Sequence, residues 1–359
     1  MIRTVLSAMA VAAQLNTTRP ARPTTPADAI VEAFRTHDVV TLSDSHGRVQ
    51  MQLFLLTLLR DTRLPGVVND IVLEGASARY QDALDRFVRG DDVPEAVVRG
   101  AWQDTTQPQT TGVQSAEIIR AVRSLNASLP RDRQMRVLAG DPPIDWTNVV
   151  SAQDHHRWIE LRDSYPADLI HRQVITRGRR ALVIYGQMHA QRKQIASNYD
   201  MSVWQSQTLV SLLERDGAKV FSVWTLFEGE GVFNSSRFTR VVPDGVERWP
   251  TPGLAVVRGA DLGAVDFAAY VPVPNRFQVI NGALEPAPKT DWRVLPMEEQ
   301  FDAVLYLGPS GPPTPVAIPR ELCTDATFIQ NRIDRIALAG LPAAEIDQLK
   351  RSCRNATAP

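Results

Sequence analysis

The run Ala181-Leu182-Val183-Ile184-Tyr185, followed at once by Gly186-Gln187-Met188-His189, decides how this chain is read. Five apolar residues without polar alternation describe a strand buried on both faces, and such strands belong to parallel sheets covered by helices on either side. The glycine and histidine behind it put an ionisable group at the strand's carboxyl end. Three other runs repeat the pattern: Val39 to Leu42 ends in Ser43-Asp44-Ser45-His46-Gly47, Ile71 to Leu73 in Glu74-Gly75, and Arg136 to Ala139 in Gly140-Asp141-Pro142-Pro143. Helical spacing fills the intervals: Val49 to Arg60, Ala78 to Val88, Ser115 to Leu125, Ala152 to Arg162, Ala167 to Thr176 and Val203 to Arg215, before another strand at Val220 to Trp224. The alternation predicts a three-layer α/β/α fold with a mixed, mostly parallel central sheet.

Beyond Phe227 the texture changes, with 13 of the 25 prolines between Pro243 and Pro319. That stretch reads as loop-rich, with one late strand, Phe301 to Leu307, expected to join the main sheet. Asp325 to Arg351 has helical spacing interrupted at Gly340-Leu341-Pro342, which predicts a C-terminal helical hairpin. Both cysteines, Cys323 and Cys353, lie in this last part, as a pair or as inert residues. The opening MIRTVLSAMAVAAQ combines Arg3 with a short apolar run and small residues, resembling a short secretory signal. An exported chain permits a Cys323–Cys353 disulfide. The expected organisation is a leader over 1–26, an α/β domain over 27–320 whose part 243–319 is proline-rich, and a hairpin over 321–359.

With 39 basic and 40 acidic side chains the chain lacks the basic surplus of a nucleic-acid binder. No stretch supplies the roughly 20 apolar residues of a membrane span. Only four of the basic residues are lysine. The sequence holds no Gly-x-Ser-x-Gly elbow, His-Glu-x-x-His helix or P-loop, and no Gly-x-Gly-x-x-Gly after the first strand. What remains is histidine and carboxylate chemistry, with or without a metal. In open α/β sheets ligands bind beyond the carboxyl ends of the strands, so Asp44, His46, Glu74, Asp141 and His189 converge on one expected pocket.

Two families resemble these motifs. Asp44-Ser45-His46 is similar to the first metal motif of calcineurin-like metallophosphoesterases, but Leu73-Glu74-Gly75 replaces their Gly-Asp and no Asn-His dipeptide follows. The fuller resemblance, over Val39 to Leu307, is to the erythromycin esterase-like and Tiki/ChaN-like superfamily. Leu42 to Gly47 matches its strand and His-Gly loop, and Glu74 its strand-ending glutamate. Ala139-Gly140-Asp141, after a helix ending near Asn126, resembles its Gly-x-Asp, with the glycine here directly before the aspartate; Gly186 to Ala190 resembles its late histidine loop, and Phe301 to Tyr306 its closing strand. Ser43 stands where esterase-like members carry glutamate, with Asp44 one position later.

The resemblance implies a hydrolase acting on a small ester- or amide-like substrate, with His46, Glu74 and His189 as its catalytic residues. His46 would be the base that activates water, Glu74 would orient the water or His46, and His189 would stabilise developing charge. In a metal-using branch the same three would hold a divalent cation. Asp44, Arg48, Asp141, Tyr185 and Arg192 are the expected substrate-binding residues, Asp141 from behind the others and the arginines toward a substrate anion or oxyanion. The superfamily also contains haem-binding uptake proteins, for which Tyr185, Met188 and His189 are the residues of interest.

Overall fold

The structure, a computed structural model, describes residues 19–44, 46–193, 207–228, 242–267, 277–280, 283–286, 295–309 and 317–357. The residues of the expected secretory signal and Val203 to Ser206 of an expected helix lie outside them. Nine strands are described: β1 Val39–Asp44, β2 Asp70–Ser77, β3 Arg136–Asp141, β4 Ala181–Gly186, β5 Val220–Glu228, β6 Gly253–Val256, β7 Phe277–Ile280, β8 Ala283–Pro286 and β9 Ala303–Pro309. Seven form one sheet in the order β3-β2-β4-β1-β5-β9-β6, while β7 and β8 pair as a separate hairpin. Every pairing in the large sheet is parallel except β6 against β9.

Alternation along the strands explains the three layers. Leu182 and Ile184 of β4 join one buried cluster with Val40, Leu42, Ile71 and Leu73, whereas Ala181, Val183 and Tyr185 join another with Val39, Val72 and Leu138. Both faces are therefore covered, which is why the run at 181–185 shows no polar alternation. Each fully buried valine or leucine contributes about 1.5–3 kcal/mol of transfer free energy to this arrangement. Helices α1 Pro26–Ala33, α2 Val49–Leu59, α3 Gln81–Val88, α4 Glu95–Gln103 and α5 Val113–Asn126 contribute to the first cluster. Of the next four, α6 Ala152–Ile159, α7 Ser164–Gln173, α8 Gln187–Ala190 and α9 Leu209–Arg215, the second cluster draws on α7 and α9.

The sequence reading did not anticipate α1, α4 or β6. Gly253 to Val256 is a four-residue antiparallel edge strand, too short to stand out in a proline-rich stretch. The late strand does join the sheet, in parallel with β5. The chain ends in α10 Arg320–Thr324, α11 Ala326–Leu338 and α12 Ala343–Thr357. A Cys323–Cys353 disulfide ties α10 to α12 around a small core of Ile318, Leu349 and Cys353. Among the described residues no helix is long and apolar enough to cross a membrane.

Candidate functional site

The strand order makes β4 the neighbour of both β1 and β2, so their three carboxyl ends lie side by side. β1 keeps its register with β4 as far as Asp44 and Gly186, but its pairing with β5 stops at Leu42 and Val223. Where that ladder stops, Thr225 N–H donates to Ser43 Oγ at 2.6 Å. Ser43 is thus used to tie β1 to β5. Asp44 instead turns to the histidine: its Oδ2 lies 2.9 Å from His46 Nδ1, and its Oδ1 accepts from Gln114 Nε2 at 3.1 Å. Gly47, at φ +72°, makes the left-handed step into α2 and donates its N–H to Gln114 Oε1 at 3.2 Å.

His46 Nε2 points to Glu74 Oε2 at 3.5 Å. Gly186 makes this approach possible, because a Cβ there would lie 3.0 Å from His46 Nε2 and 3.2 Å from Glu74 Oε2. The missing side chain also leaves Gly186 N–H free to donate to Glu74 Oε2. On its other oxygen Glu74 holds the Arg162 guanidinium, and His189 Nε2 lies 3.6 Å away. His189 Nδ1 is fixed by Asp163 Oδ1 at 2.8 Å, and the same oxygen accepts Leu209 N–H at 2.7 Å. Arg162 donates to the side-chain oxygen of Gln107 from both terminal nitrogens, at 3.0 and 2.9 Å, in the amide orientation that satisfies both groups.

Exposure separates the members. His46 leaves 44% of its side chain open to solvent, whereas Glu74 and His189 keep 4% each. Burial works against the charged form of His46, but Glu74 and Asp44 outweigh it and raise the pKa to about 9. Burial likewise opposes the Glu74 carboxylate, yet His46, Arg162, His189 and the Gly186 N–H bring it down to about 2. The resting pair is imidazolium and carboxylate. Behind them Asp141 is raised to about 7, chiefly by burial, while Thr106 donates to both its oxygens, from N–H at 2.7 Å and from Oγ1 at 2.5 Å.

Several expected residues lie elsewhere. Arg192 is not at the cluster: it pairs with Glu214 at 2.8 Å and Asp302 at 2.5 Å and donates to Val220 O, at the opposite end of β5. Asp141 and Tyr185 are 2% and 1% exposed, so neither presents an atom to a ligand in solvent. Tyr185 packs edge-on against His189, with ring centroids 5.6 Å apart, and its hydroxyl fits only because residue 140 is glycine. Arg48 does lie beside the exposed loop, half-buried at the start of α2. Arg162, Asp163, Gln107 and Gln114 were missed by the sequence reading. Arg162 and Asp163 leave only a weak trace, a charged pair where one helical run gives way to the next.

The donor set does not fit a divalent metal. Both Glu74 oxygens are engaged, one by a guanidinium, and a cation shared by His46, Glu74 and His189 would lie against that positive charge. Among the described residues no group of three or more His, Cys, Asp or Glu is arranged to hold a metal ion. The expected haem residues do not fit either: Tyr185 and His189 are buried, and Met188 Sδ accepts from Gln191 Nε2 at 3.9 Å.

No family model and no curated protein matches the sequence. Solved structures do match the fold. A mutant of erythromycin esterase EreC in its open conformation is 11% identical, with a TM-score of 0.52 over 81% of this chain and 95% of that one. A succinoglycan biosynthesis protein is 12% identical, with a TM-score of 0.50 over 82% of this chain and 96% of that one. The haem-binding ChaN of Campylobacter jejuni is 11% identical, with a TM-score of 0.32 over 58% of this chain and 87% of that one. At 11% identity the likeness to EreC shows the fold and no more: this chain, with its mostly parallel seven-stranded sheet between helices, has the fold of that erythromycin esterase.

Proposed function

We propose that the cluster is a hydrolytic site acting without a metal on a small ester- or amide-like substrate. The observation that carries this is the exposed imidazole of His46, held by Asp44 at 2.9 Å and facing the buried Glu74 at 3.5 Å. Asp44 keeps a proton on Nδ1, so in the neutral ring Nε2 is the free base. The separation of Nε2 from Glu74 Oε2 is longer than a good hydrogen bond, and a water to one side of the pair can donate one hydrogen to each. Nε2 takes a proton from that water as its oxygen adds to the substrate carbonyl carbon. The imidazolium then returns the proton to the leaving oxygen or nitrogen. Arg48, in the same loop, is the cation assigned to the developing oxyanion.

Glu74 stays ionised because Arg162 and His189 face it from inside the protein, and this makes His189 a support for Glu74 instead of a group that touches substrate. The disulfide supports placement outside the cytoplasm. A panel of chromogenic esters, lactones and amides, with and without a chelator, tests the proposal. Hydrolysis insensitive to chelation is expected, with His46→Ala lowering kcat/KM by about 100-fold or more. Undiminished hydrolysis in His46→Ala overturns it.

A further inference from the structure

The C-terminal hairpin lies outside the chemistry described so far, yet its arginines reach toward the site. Arg332 of α11 is only 3% exposed and donates from Nη1 to Pro108 O at 3.2 Å. One turn later Arg335 donates to Asp104 Oδ1 at 2.6 Å and Gln103 O at 3.3 Å, and its guanidinium lies 5.2 Å from the centre of the Trp146 ring. Trp146 Nε1 donates in turn to Thr105 O at 3.1 Å. Residues 103–108 are therefore gripped from outside by two arginines and a tryptophan. Burying a guanidinium is costly, so a hairpin that needed only packing would be better served by apolar side chains.

The inner side of the gripped segment is the support of the site. Thr106 holds both oxygens of Asp141, and Gln107 holds both terminal nitrogens of Arg162, which in turn pairs with Glu74. The arginines of α11 hold Gln103 O, Asp104 and Pro108 O, the same short loop places Gln107 on Arg162, and Arg162 and Glu74 carry the line on to His46. We propose that Arg332 and Arg335 are positioning residues of the site, holding loop 103–108 so that Gln107 keeps the Arg162 guanidinium on Glu74. The Cys323–Cys353 disulfide closes the hairpin that carries them. Reducing it therefore loosens the same grip.

The consequence follows from charge. When Arg162 leaves Glu74, the carboxylate acts on His46 with less compensation, and the imidazole binds its proton more tightly. The test follows the His46 ring by NMR titration of the full-length protein in wild type, Arg335→Ala, Arg335→Lys and, as a control on the exposed face of α12, Arg351→Ala. The expected result is a His46 pKa raised by about half a unit or more in Arg335→Ala. Arg335→Lys, which keeps the charge beside Asp104, recovers part of that shift, and Arg351→Ala leaves the value unchanged. Reduction of wild type with a phosphine reproduces the direction of the Arg335→Ala shift.

A His46 pKa identical to wild type in folded Arg335→Ala overturns the proposal. Should that variant not fold, Gln107→Ala, which cuts the same line without touching the hairpin, decides by the same criterion. The proposal rests on His46 and Glu74 forming the site, but its readout is a ring titration and not turnover. Its failure is thus distinguishable from failure of the hydrolase reading.

Discussion

Replacing Asp44 with asparagine removes one of two negative charges beside His46 with almost no change of shape. At 2.9 Å from Nδ1 the Asp44 charge is worth about 1.4 kcal/mol in water, and Glu74 at 3.5 Å from Nε2 about 1.2 kcal/mol, roughly two pKa units together. That is somewhat less than the rise of His46 from 6.5 to about 9, which also overcomes the opposing effect of burial, so the two carboxylates act through a medium less polar than water even with 44% of the side chain in solvent. Asp44→Asn should therefore lower the His46 pKa by about 1 to 1.5 units, read from the Cε1 proton and carbon shifts of the ring between pH 5 and 10. The variant has a second consequence. The asparagine amide donates to Nδ1, which drives the ring proton to Nε2 and occupies the lone pair that must accept a proton from water. kcat should fall by about 100-fold or more at every pH while KM changes little. A His46 pKa within about 0.3 unit of wild type refutes the electrostatic account, and an unchanged kcat refutes the tautomer argument.

Gly186→Ala asks whether the close approach at β4 is needed. Its backbone, at φ −53° and ψ 148°, accepts alanine, but the new Cβ meets His46 and Glu74. kcat/KM should drop about 10-fold or more while the melting temperature changes little. Asn126→Ala asks the opposite question. This buried amide donates to Val88 O and Met135 O and accepts Met135 N–H, so its loss should cost about 2–4 kcal/mol in urea unfolding, with kcat unchanged for the folded protein.

The titration of stability has signs fixed by the three shifted groups. His46, raised from 6.5 to about 9, stabilises fully below 6.5 and loses that contribution as pH climbs toward 9. Asp141, raised from 3.8 to about 7, penalises folding increasingly over that interval. Glu74, lowered from 4.5 to about 2, contributes above 4.5 and loses its effect as pH falls through 2. Thermal melts should therefore decline steadily from pH 6 to 9, and the decline should be shallower in Asp44→Asn.

The sheet was legible because burial on both faces writes strands as unbroken apolar runs, and the strand-end residues Asp44, His46, Glu74 and His189 stand out against them. Tyr185 and Asp141 stand out equally, but a strand's last side chains can turn into the core as readily as toward solvent, and the run alone does not say which. Arg192 follows a strand-end histidine just as Arg48 does, and only the positions of Glu214 and Asp302 show that it serves an ion pair. Arg162 was invisible for a different reason. It lies 88 residues from Glu74 and reaches it across the end of the sheet, a contact that no local spacing encodes. The disulfide was legible because the sequence holds only two cysteines, both in one short helical region.

The central claim is that a neutral His46 is the base that activates water, and the pH dependence of kcat/KM tests it most directly. With the most reactive chromogenic ester, kcat/KM should rise about tenfold per pH unit from pH 6 and level off near the His46 pKa measured by NMR. In Asp44→Asn the levelling point should move down with that pKa. A profile flat from pH 6 to 9, or one that falls as His46 loses its proton, contradicts the account.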